Sequence, residues 1–314
     1  MDTLSICIPS NRSIKFLGKC LKSIAFSSKP KKLNFDICIS DNGQDYSKKK
    51  LIDKLKGKLK IKYQFIKKKT NRIENMCNSI SQSNSDFIWL LGDDEIISKN
   101  SLINLEKIFL AKKKNVDLIF LNSKCRKKNQ DIKSIHFIKK FYDLIDYKIS
   151  DDFMGGMFLS VFRRSKWVKH KKILNKFKKD KSEFSSLGNT FPHLMVFSKA
   201  FMKSDVYFSK KIYTYNFIKN REWSNLWALV QSVRTPELLD NYRKEGLPFM
   251  KFIVNKNYSL RFFLPHIFKI LINNKFYPIT LFEIIKSLFK NTIYPFFYLS
   301  PIIWALNKSQ VSDK

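Results

Sequence analysis

Short apolar runs alternate with longer amphipathic segments along the first 125 residues of the chain. Apolar runs of strand length predict five β-strands, at 4–8, 35–40, 61–66, 87–91 and 118–122. Apolar positions three and four residues apart predict helices between them, at 14–26, up to about 55, at 72–83 and at 101–113. This alternation predicts an α/β fold with a mostly parallel, Rossmann-like sheet and helices on both faces.

The second half of the chain is patterned differently. Residues 126–150 are polar and basic and predict a loop or flap, whereas 193–201 predicts a helix and 206–218 a strand pair. Beyond about residue 235 the pattern indicates helices rich in Phe, Ile, Leu and Lys. We therefore expect an α/β domain over 1–220 and a helical, amphipathic C-terminal region over 221–314.

The C-terminal region is too interrupted to predict a membrane span. Residues 294–306 carry no charge, but they contain Pro295 and Pro301, and a spanning helix needs ~20 apolar residues. Lysines beside aromatic residues suit a helix lying on a membrane surface, and packing on the α/β domain is the alternative. The first residues lack the basic region of a signal peptide, so we expect a cytoplasmic location, peripheral to the inner face of the membrane.

Polar residues follow three of the predicted strands directly. Strand one runs into Pro9–Arg12, strand two ends in Ser40–Gly43, and the fourth strand ends in Gly92–Glu95. In open α/β sheets, ligands bind beyond the carboxyl ends of the strands. The three clusters therefore predict one composite site at a single edge of the sheet.

Three consecutive carboxylates, Asp93, Asp94 and Glu95, give that site its candidate chemistry. Carboxylates in a row repel one another, yet they suit a hard divalent cation such as Mg²⁺ or Mn²⁺. A cation held there with a diphosphate would neutralise the charge on a departing nucleoside diphosphate. Acidic residues favoured by a helix N-terminus are the alternative explanation.

The formal net charge of +34 comes mostly from lysine. Solvated surfaces explain part of it, and we interpret the runs Lys48–Lys50, Lys67–Lys69 and Lys112–Lys114 in that way. An anionic partner explains the rest: a membrane surface, a phosphorylated acceptor or nucleic acid. Lysine without arginine forks argues against specific nucleic-acid recognition. Five cysteines without CxxC spacing favour free thiols in a reducing compartment.

The segments 4–12, 39–43 and 87–95 resemble, in order and spacing, the family 2 glycosyltransferases of the GT-A fold. Within that family the chain is most similar to the abequosyltransferase-type enzymes of bacterial surface polysaccharide synthesis, over roughly residues 4–215. No GxGxxG or GxxxxGK[ST] phosphate loop and no GxSxG elbow occurs in the sequence, so dinucleotide enzymes, P-loop ATPases and serine hydrolases are disfavoured.

The resemblance implies roles for particular positions. Pro9, Ser10, Asn11 and Arg12 line the nucleotide pocket, Asp41 meets the nucleobase, and Asn75 matches a family asparagine. Asp93 and Asp94 belong to the aspartate-x-aspartate motif for the donor, with Asp94 and Glu95 as metal ligands. Met154–Gly156 and Phe162–Arg164 are similar to the acceptor-side segment. Glu95 departs from the usual aspartate, and Arg72–Ile73 stands where the family has a glycine nearby.

The catalytic base is not fixed by the resemblance, because the family's usual Glu-Asp pair is missing from 188–193. His193 is a candidate because imidazole titrates near neutral pH, and a histidine packed at a helix start is the alternative. Asp152 lies close before a glycine pair and is the second candidate. Glu183 and Asp151 are the reserves.

Together these features predict a metal-dependent, inverting glycosyltransferase. It would move a sugar from a nucleotide diphosphate donor to a glycan or lipid-linked acceptor. A polyanion-binding protein on a decayed transferase scaffold is one alternative, and a nucleotidyltransferase using the same acidic edge is another.

Overall fold

A computed structural model describes residues 2–43, 46–111, 116–125, 138–149, 153, 155–178, 182–216 and 225–312. Nine strands lie within these residues. They are β1 (Leu4–Ser10), β2 (Phe35–Asp41), β3 (Ile61–Phe65), β4 (Phe87–Leu90), β5 (Ile96–Ile97), β6 (Val116–Cys125), β7 (Ile138–Lys140), β8 (Ser160–Arg163) and β9 (Asp205–Asn216).

The helices of the described residues fall into three groups along the chain. The first contains α1 (Ile14–Ala25), α2 (Ser47–Leu55), α3 (Arg72–Ser81) and α4 (Ser101–Ala111). The second contains α5 (Phe141–Leu144), α6 (Arg164–His170), α7 (Leu187–Thr190) and α8 (Pro192–Phe201). The third contains α9 (Trp227–Leu229), α10 (Thr235–Lys244), α11 (Phe249–Ser259), α12 (Phe263–Ile272), α13 (Leu281–Asn291) and α14 (Pro295–Ser312), with a π-helical turn at Val230–Arg234.

All nine strands join one sheet in the order β3-β2-β1-β4-β8-β6-β9-β5, and β7 pairs with β9. Strands β1 to β4 are mutually parallel, β6 and β9 run the same way, and β5, β7 and β8 run against them. The register sets Cys7 of β1 beside Cys38 of β2 and Leu90 of β4. The segments that follow these three strands therefore emerge side by side at one edge.

Two hydrophobic cores cover the two faces of the sheet. Alternate residues of one strand point to opposite faces, so Ile88 and Trp89 of β4 belong to different cores. One core contains buried side chains of α1, α2 and α4, and the other contains those of α3, α6 and α8. The predicted α/β class, with a mostly parallel sheet and helices on both faces, is confirmed.

The C-terminal helices share the second core. Leu239, Phe263, Ile284 and Phe297, from four different helices, are buried in the same cluster as Phe197 of α8. A boundary near residue 220 stays a prediction, since this buried cluster contains residues from both sides of it. No helix within the described residues is both long and apolar enough to cross a membrane.

Two predictions for the middle of the chain are wrong. Residues 138–144 lie in the segment expected to be a loop, but they form β7 and α5, where Phe141 is fully buried. The expected strand pair at 206–218 is one strand, β9, within the part of it that is described. The pairing of β9 with β6 contains register shifts. Such irregularities interrupt the alternation of apolar and polar residues along β9, so the sequence pattern resembles that of two strands.

Candidate active site

Asp93 ties the acidic run after β4 to the segment after β1. Its Oδ2 accepts hydrogen bonds from Ser10 Oγ at 2.8 Å, from Asn11 N at 3.2 Å and from Arg12 N at 3.1 Å. Burial raises the pKa of Asp93, while the bonds from Ser10 and Arg12 oppose that shift by favouring the ionised form. Asp93 therefore fixes the segment at 10–12 beside the acidic run, consistent with the predicted proximity of these residues.

Asp94 is the more open carboxylate of the run. Its Oδ2 lies 2.7 Å from Arg12 Nη1, and the side chains of Arg12 and Asp94 are 29% and 28% exposed. An ion pair this open is within reach of a ligand and is weakly stabilising in water. A diphosphate entering here would meet the guanidinium of Arg12, with the carboxylate of Asp94 beside it.

The donor set fits a cation that a substrate helps to hold, and not a cage built by protein alone. Within the described residues, no three His, Cys, Asp or Glu side chains converge as a metal site. Glu95 is only 5% exposed, and Asp93 is committed to Ser10 and its neighbours. Mg²⁺ commonly binds through one or two carboxylates plus substrate phosphates, and the partly exposed Asp94 meets that requirement. Glu95 as a second ligand stays a prediction.

Asn75 of α3 holds the end of β1 at Ser10, which is one of the residues that bind Asp93. It lies on α3 with 3% exposure, and its Nδ2 donates to Ser10 O at 3.2 Å. Its Oδ1 has no hydrogen-bond partner among the described residues, an uncommon state for a buried acceptor. Pro9, which precedes Ser10, is half-buried and faces Ser40 in register.

The carboxylate of Asp41 is already hydrogen-bonded to neighbouring residues of the protein. Its carboxylate accepts from Lys48 Nζ at 2.7 Å, from Tyr63 Oη at 2.8 Å and from Gly43 N at 2.9 Å. The side chain of Asp41 is fully buried and that of Lys48 is 4% exposed. The interpretation of Lys48 as a solvated charge is therefore wrong. Contact of Asp41 with a nucleobase stays a prediction, and it requires these partners to be displaced or shared.

Arg72 and Glu183 form a basic and acidic pair within electrostatic range of Arg12. The negative charge of Glu183 acts on Arg72, and so does the positive charge of Arg12. Glu183 is exposed, and the next residue, Phe184, adopts a left-handed φ of +65° with its ring 6.0 Å from the Arg72 guanidinium. Non-glycine residues in this conformation are strained and cluster at functional sites. Arg72, Glu183 and Arg12 thus lie within electrostatic range of one another.

The segment after Glu183 is held by a residue from far along the chain. Arg234, in the π-helical turn, donates from Nε to Phe184 O at 3.1 Å and from Nη2 to Ser185 O at 2.6 Å. Its side chain is 2% exposed and also pairs with Glu237. Buried arginine forks fix geometry well because their donors are planar.

Of the predicted candidates for the catalytic base, the structure describes His193 and Glu183 but not Asp151 or Asp152. His193, in the first turn of α8, is 1% exposed and packs edge-on against Phe197 at 5.7 Å. Asp152, Asp151 and Met154 lie outside the described residues. The expected acceptor-side role of Arg163 and Arg164 stays a prediction. Arg163 pairs with Asp117 at 2.7 Å and Arg164 N bonds Asp86 O, at the opposite edge of the sheet from the acidic run.

Three residues of this site had no clear sequence signal. Lys48 stood in a lysine run, Arg72 in an unusual loop, and Arg234 in a helical region some 50 residues from the segment it holds. The spacing of Lys48 seven residues after Asp41, at the start of a helix, was the usable hint. Arg234 needed the tertiary structure.

The match to a known sequence family covers most of the sheet. Residues 5–204 match the model named Glycosyl transferase family 2. Over 215 residues the chain is 24% identical to the abequosyltransferase RfbV of Salmonella typhimurium, which is 63% of this chain and 61% of that relative. The chain thus matches less than two thirds of the length of this curated relative.

Solved structures share the fold at low identity. S. aureus TarS 1–349 in complex with UDP-GlcNAc gives a TM-score of 0.60 at 16% identity, covering 83% of this chain and 72% of that one. The mannosyltransferase PcManGT from Pyrobaculum calidifontis, in complex with GDP-Man and Mn²⁺, gives 0.54 at 9% identity, covering 99% and 86%. These likenesses confirm the predicted architecture, including helices after the sheet.

Proposed function

The chain belongs to glycosyltransferase family 2, and from that premise we propose that it transfers a sugar from a nucleotide diphosphate donor, with inversion, at the edge formed by Arg12, Asp93 and Asp94. The observation that carries the proposal is the bond pattern of the acidic run. Asp93 fixes the loop after β1 by three hydrogen bonds, and this leaves Arg12 and Asp94 open side by side. Ligands of open α/β sheets bind beyond the carboxyl ends of the strands, and the position of this edge supports the proposal.

The donor would bind with its diphosphate at Arg12 and Arg72. Both guanidiniums are close enough to influence each other, and neither needs to be deprotonated to act. Pro9, Ser10 and Asn11 would line the nucleotide, and Asn75 would keep Ser10 in place. Asp41, with Lys48 and Tyr63 as partners, is the proposed contact of the nucleobase.

Mg²⁺ or Mn²⁺ would be held by Asp94, with Glu95 as the further proposed ligand. When bound, such an ion stabilises the negative charge of the leaving diphosphate. The protein's own cations act in the same direction, because Arg12 stands 2.7 Å from Asp94 and shares its exposed position. Removing the ion should therefore weaken donor binding more than it perturbs the fold.

For the base, Glu183 is better placed than His193, and Asp152, which lies outside the described residues, stays a further proposed candidate. Glu183 is exposed and near Arg72, whereas His193 is 1% exposed within a packed aromatic cluster. A carboxylate there would accept the proton of the attacking hydroxyl as the oxygen reaches the anomeric carbon and the diphosphate leaves. Loss of a positioned base typically slows a reaction by ~10²–10⁴-fold.

The proposed acceptor is a growing glycan, on a lipid diphosphate or free, in surface polysaccharide synthesis. The basic composition supports an anionic acceptor or surface, and we propose a cytoplasmic location at the inner face of the membrane. The similarity to an abequosyltransferase agrees with this class of pathway.

Thermal unfolding with UDP, GDP, CDP and dTDP, each with and without Mn²⁺, tests the proposal. A ligand at ~100 times its Kd adds about 2.7 kcal/mol of stability, which raises the midpoint by several degrees. We expect one nucleotide to do so with metal, and Asp94→Asn to abolish the shift. The control is Asp53→Asn, which removes an equally sized carboxylate from an exposed pair with Lys56.

The same samples separate the alternatives. Release of a nucleoside diphosphate from the selected donor supports the transferase, whereas release of pyrophosphate indicates a nucleotidyltransferase. A protein that ignores all four nucleotides, but binds polyanions with a steep dependence on salt, would be the non-catalytic binder. The base is identified with three variants, Glu183→Gln, His193→Gln and Asp152→Asn. Loss of the base should lower the turnover rate without changing the thermal shift caused by the nucleotide.

A further inference from the structure

The C-terminal helices expose large apolar side chains on their outward sides. We call six of them the outward apolar face, and each is between 59% and 77% exposed: Phe268, Phe282, Phe289, Ile293, Ile302 and Leu306. They come from α12, α13, α14 and the loop between the last two. Phe282 and Phe289, on one side of α13, alone present roughly 300 Å² of apolar surface, which is the lower end of the range for the largest patch on an ordinary monomer.

Helix α13, which contributes Phe282 and Phe289 to the outward apolar face, also has a buried side. On α13, Ile284 and Asn291 are 2% and 1% exposed and make up the side turned toward the protein. Phe282, Ile285 and Phe289 recur at i, i+3 and i+7, so they form a second apolar stripe on another side of the same helix. A capping box of Thr280 and Glu283 fixes the start of the helix. The helix is therefore well anchored and still apolar outward.

The charge around the outward apolar face indicates which kind of partner it would bind. Between residues 249 and 307 the sequence has seven basic residues and one acidic residue, Glu283. Three of the seven, Lys251, Lys256 and Lys290, pair with Asp143 and Asp240. The charge offered to a partner is therefore that of the exposed Lys269, Lys275 and Lys286. Glu283 is held within 3.5 Å of Arg234, so its charge is compensated inside the protein. A second copy of this chain would bring a basic surface against a basic surface. An anionic bilayer offers both a hydrocarbon boundary for the apolar stripe and phosphates for the lysines.

We propose that the outward apolar face inserts into the headgroup boundary of an anionic lipid bilayer, with the exposed Lys269, Lys275 and Lys286 at the lipid phosphates. Lys269 follows Phe268 directly, and Lys286 lies one turn from Phe282 and Phe289, so the charges border the apolar stripes. Insertion buries these rings without a membrane-crossing segment. This inference deepens the proposed function, since a surface of this kind brings the site to a lipid-linked acceptor, but the docking stands without it.

The docking helix is physically connected to the candidate site. Glu283 of α13 reaches Arg234, and Arg234 holds the carbonyls of Phe184 and Ser185 next to Glu183. The segment that carries Glu183, the proposed base, is thus joined by side-chain contacts to the helix expected to face the lipid. An acceptor carried in the membrane would approach from that side.

Co-sedimentation of the full chain with phosphatidylcholine vesicles, with and without phosphatidylglycerol, tests the docking. We expect binding to vesicles that contain phosphatidylglycerol, weakened roughly tenfold in Phe282→Ser and further in the double variant with Phe289→Ser. The control is Phe26→Ser, because Phe26 is 74% exposed, as Phe282 is, but follows α1 far along the chain. Lys269→Gln and Lys286→Gln should weaken binding in a way that added salt imitates.

Three outcomes would overturn the proposal. The first is that the wild type stays in solution with every vesicle. The second is that Phe26→Ser weakens binding as much as Phe282→Ser. The third is a dimer in the absence of vesicles that Phe282→Ser dissociates, which would assign the face to a second copy. Thermal shifts with nucleotide are measured without lipid, so failure of docking and failure of the transferase proposal are seen separately.

Discussion

Replacing Arg234 by methionine should damage both the fold and turnover, for reasons that can be separated. The guanidinium donates to Phe184 O and Ser185 O and pairs with Glu237. Methionine fills similar space but donates nothing, so two carbonyls lose their partner. The segment beside Glu183 then loses the contacts that hold Phe184 at its φ of +65°.

The magnitude follows from these contacts. Leaving a buried acceptor unsatisfied costs about 1–3 kcal/mol, so two carbonyls give about 2–6 kcal/mol. Relaxation of Phe184 from the left-handed region returns about 1–2 kcal/mol, and removal of a buried charge returns a little more. We expect a net loss of about 3 kcal/mol, or a midpoint lower by about 5 °C in a chain of this length.

Turnover should fall more than stability suggests. Arg12, Asp93 and Asp94 do not contact Arg234, but the guanidinium of Arg72 lies 6.0 Å from the ring of Phe184, so the KM for the donor should rise by less than kcat falls. A shift of about 1 Å at a catalytic group can cost on the order of 100-fold in rate. We expect kcat to fall by that order, measured as release of nucleoside diphosphate from the donor selected by thermal shift. Arg234→Lys, which keeps charge but not the fork, should be intermediate.

The control is Arg243→Met. Arg243 is exposed on α10 and donates to a single carbonyl, Leu247 O, at 3.1 Å. It should lower the midpoint by a degree or two and leave kcat unchanged. If Arg234→Met lost stability but kept the wild-type kcat, the segment at 183–185 would not carry a catalytic group. If it lost neither, the buried hydrogen bonds to Phe184 and Ser185 would be refuted.

Two further predictions concern the packing that supports the site. Burial lowers the pKa of Lys256 to about 8, so between that value and 10.5 the unfolded chain holds the proton more strongly and this group makes stability rise with pH. Chemical denaturation at both ends of that window should show the rise in the wild type and a flatter profile in Lys256→Met. Gly188→Ala should cost about 1–3 kcal/mol, because its Cβ would stand 2.3 Å from the ring of Phe177, whereas Gly57→Ala, with nothing within 4 Å, should be neutral or better.

Periodicity predicted the first half of the fold to within a few residues at each end. The strands at 35–41 and 87–90 are buried on both faces, and the apolar run of 87–90 is continuous. Helix α1 buries one stripe, at Leu17, Leu21 and Ile24. Such signals are local and survive in a single sequence. The errors at 138–144 and at β9 arose where elements are short or bent, because a three-residue strand carries no period and a bulge interrupts one.

The proposed donor-binding residues could be predicted because they follow strands with clear local patterns. The position of Glu183, the proposed base, could not be predicted in that way. Ser10, Asp41 and Asp93 follow strands that the parallel register brings level, so their proximity is dictated by local elements and one rule of topology. Glu183 owes its position to Arg234, about 50 residues later, and the ion pair of Asp41 with Lys48 depends on a helix turning one lysine of three inward. Contacts of that kind leave no pattern in the sequence, because one buried arginine or lysine looks like any other. The C-terminal region should therefore be treated as part of the candidate site, since its Arg234 fixes the segment beside Glu183.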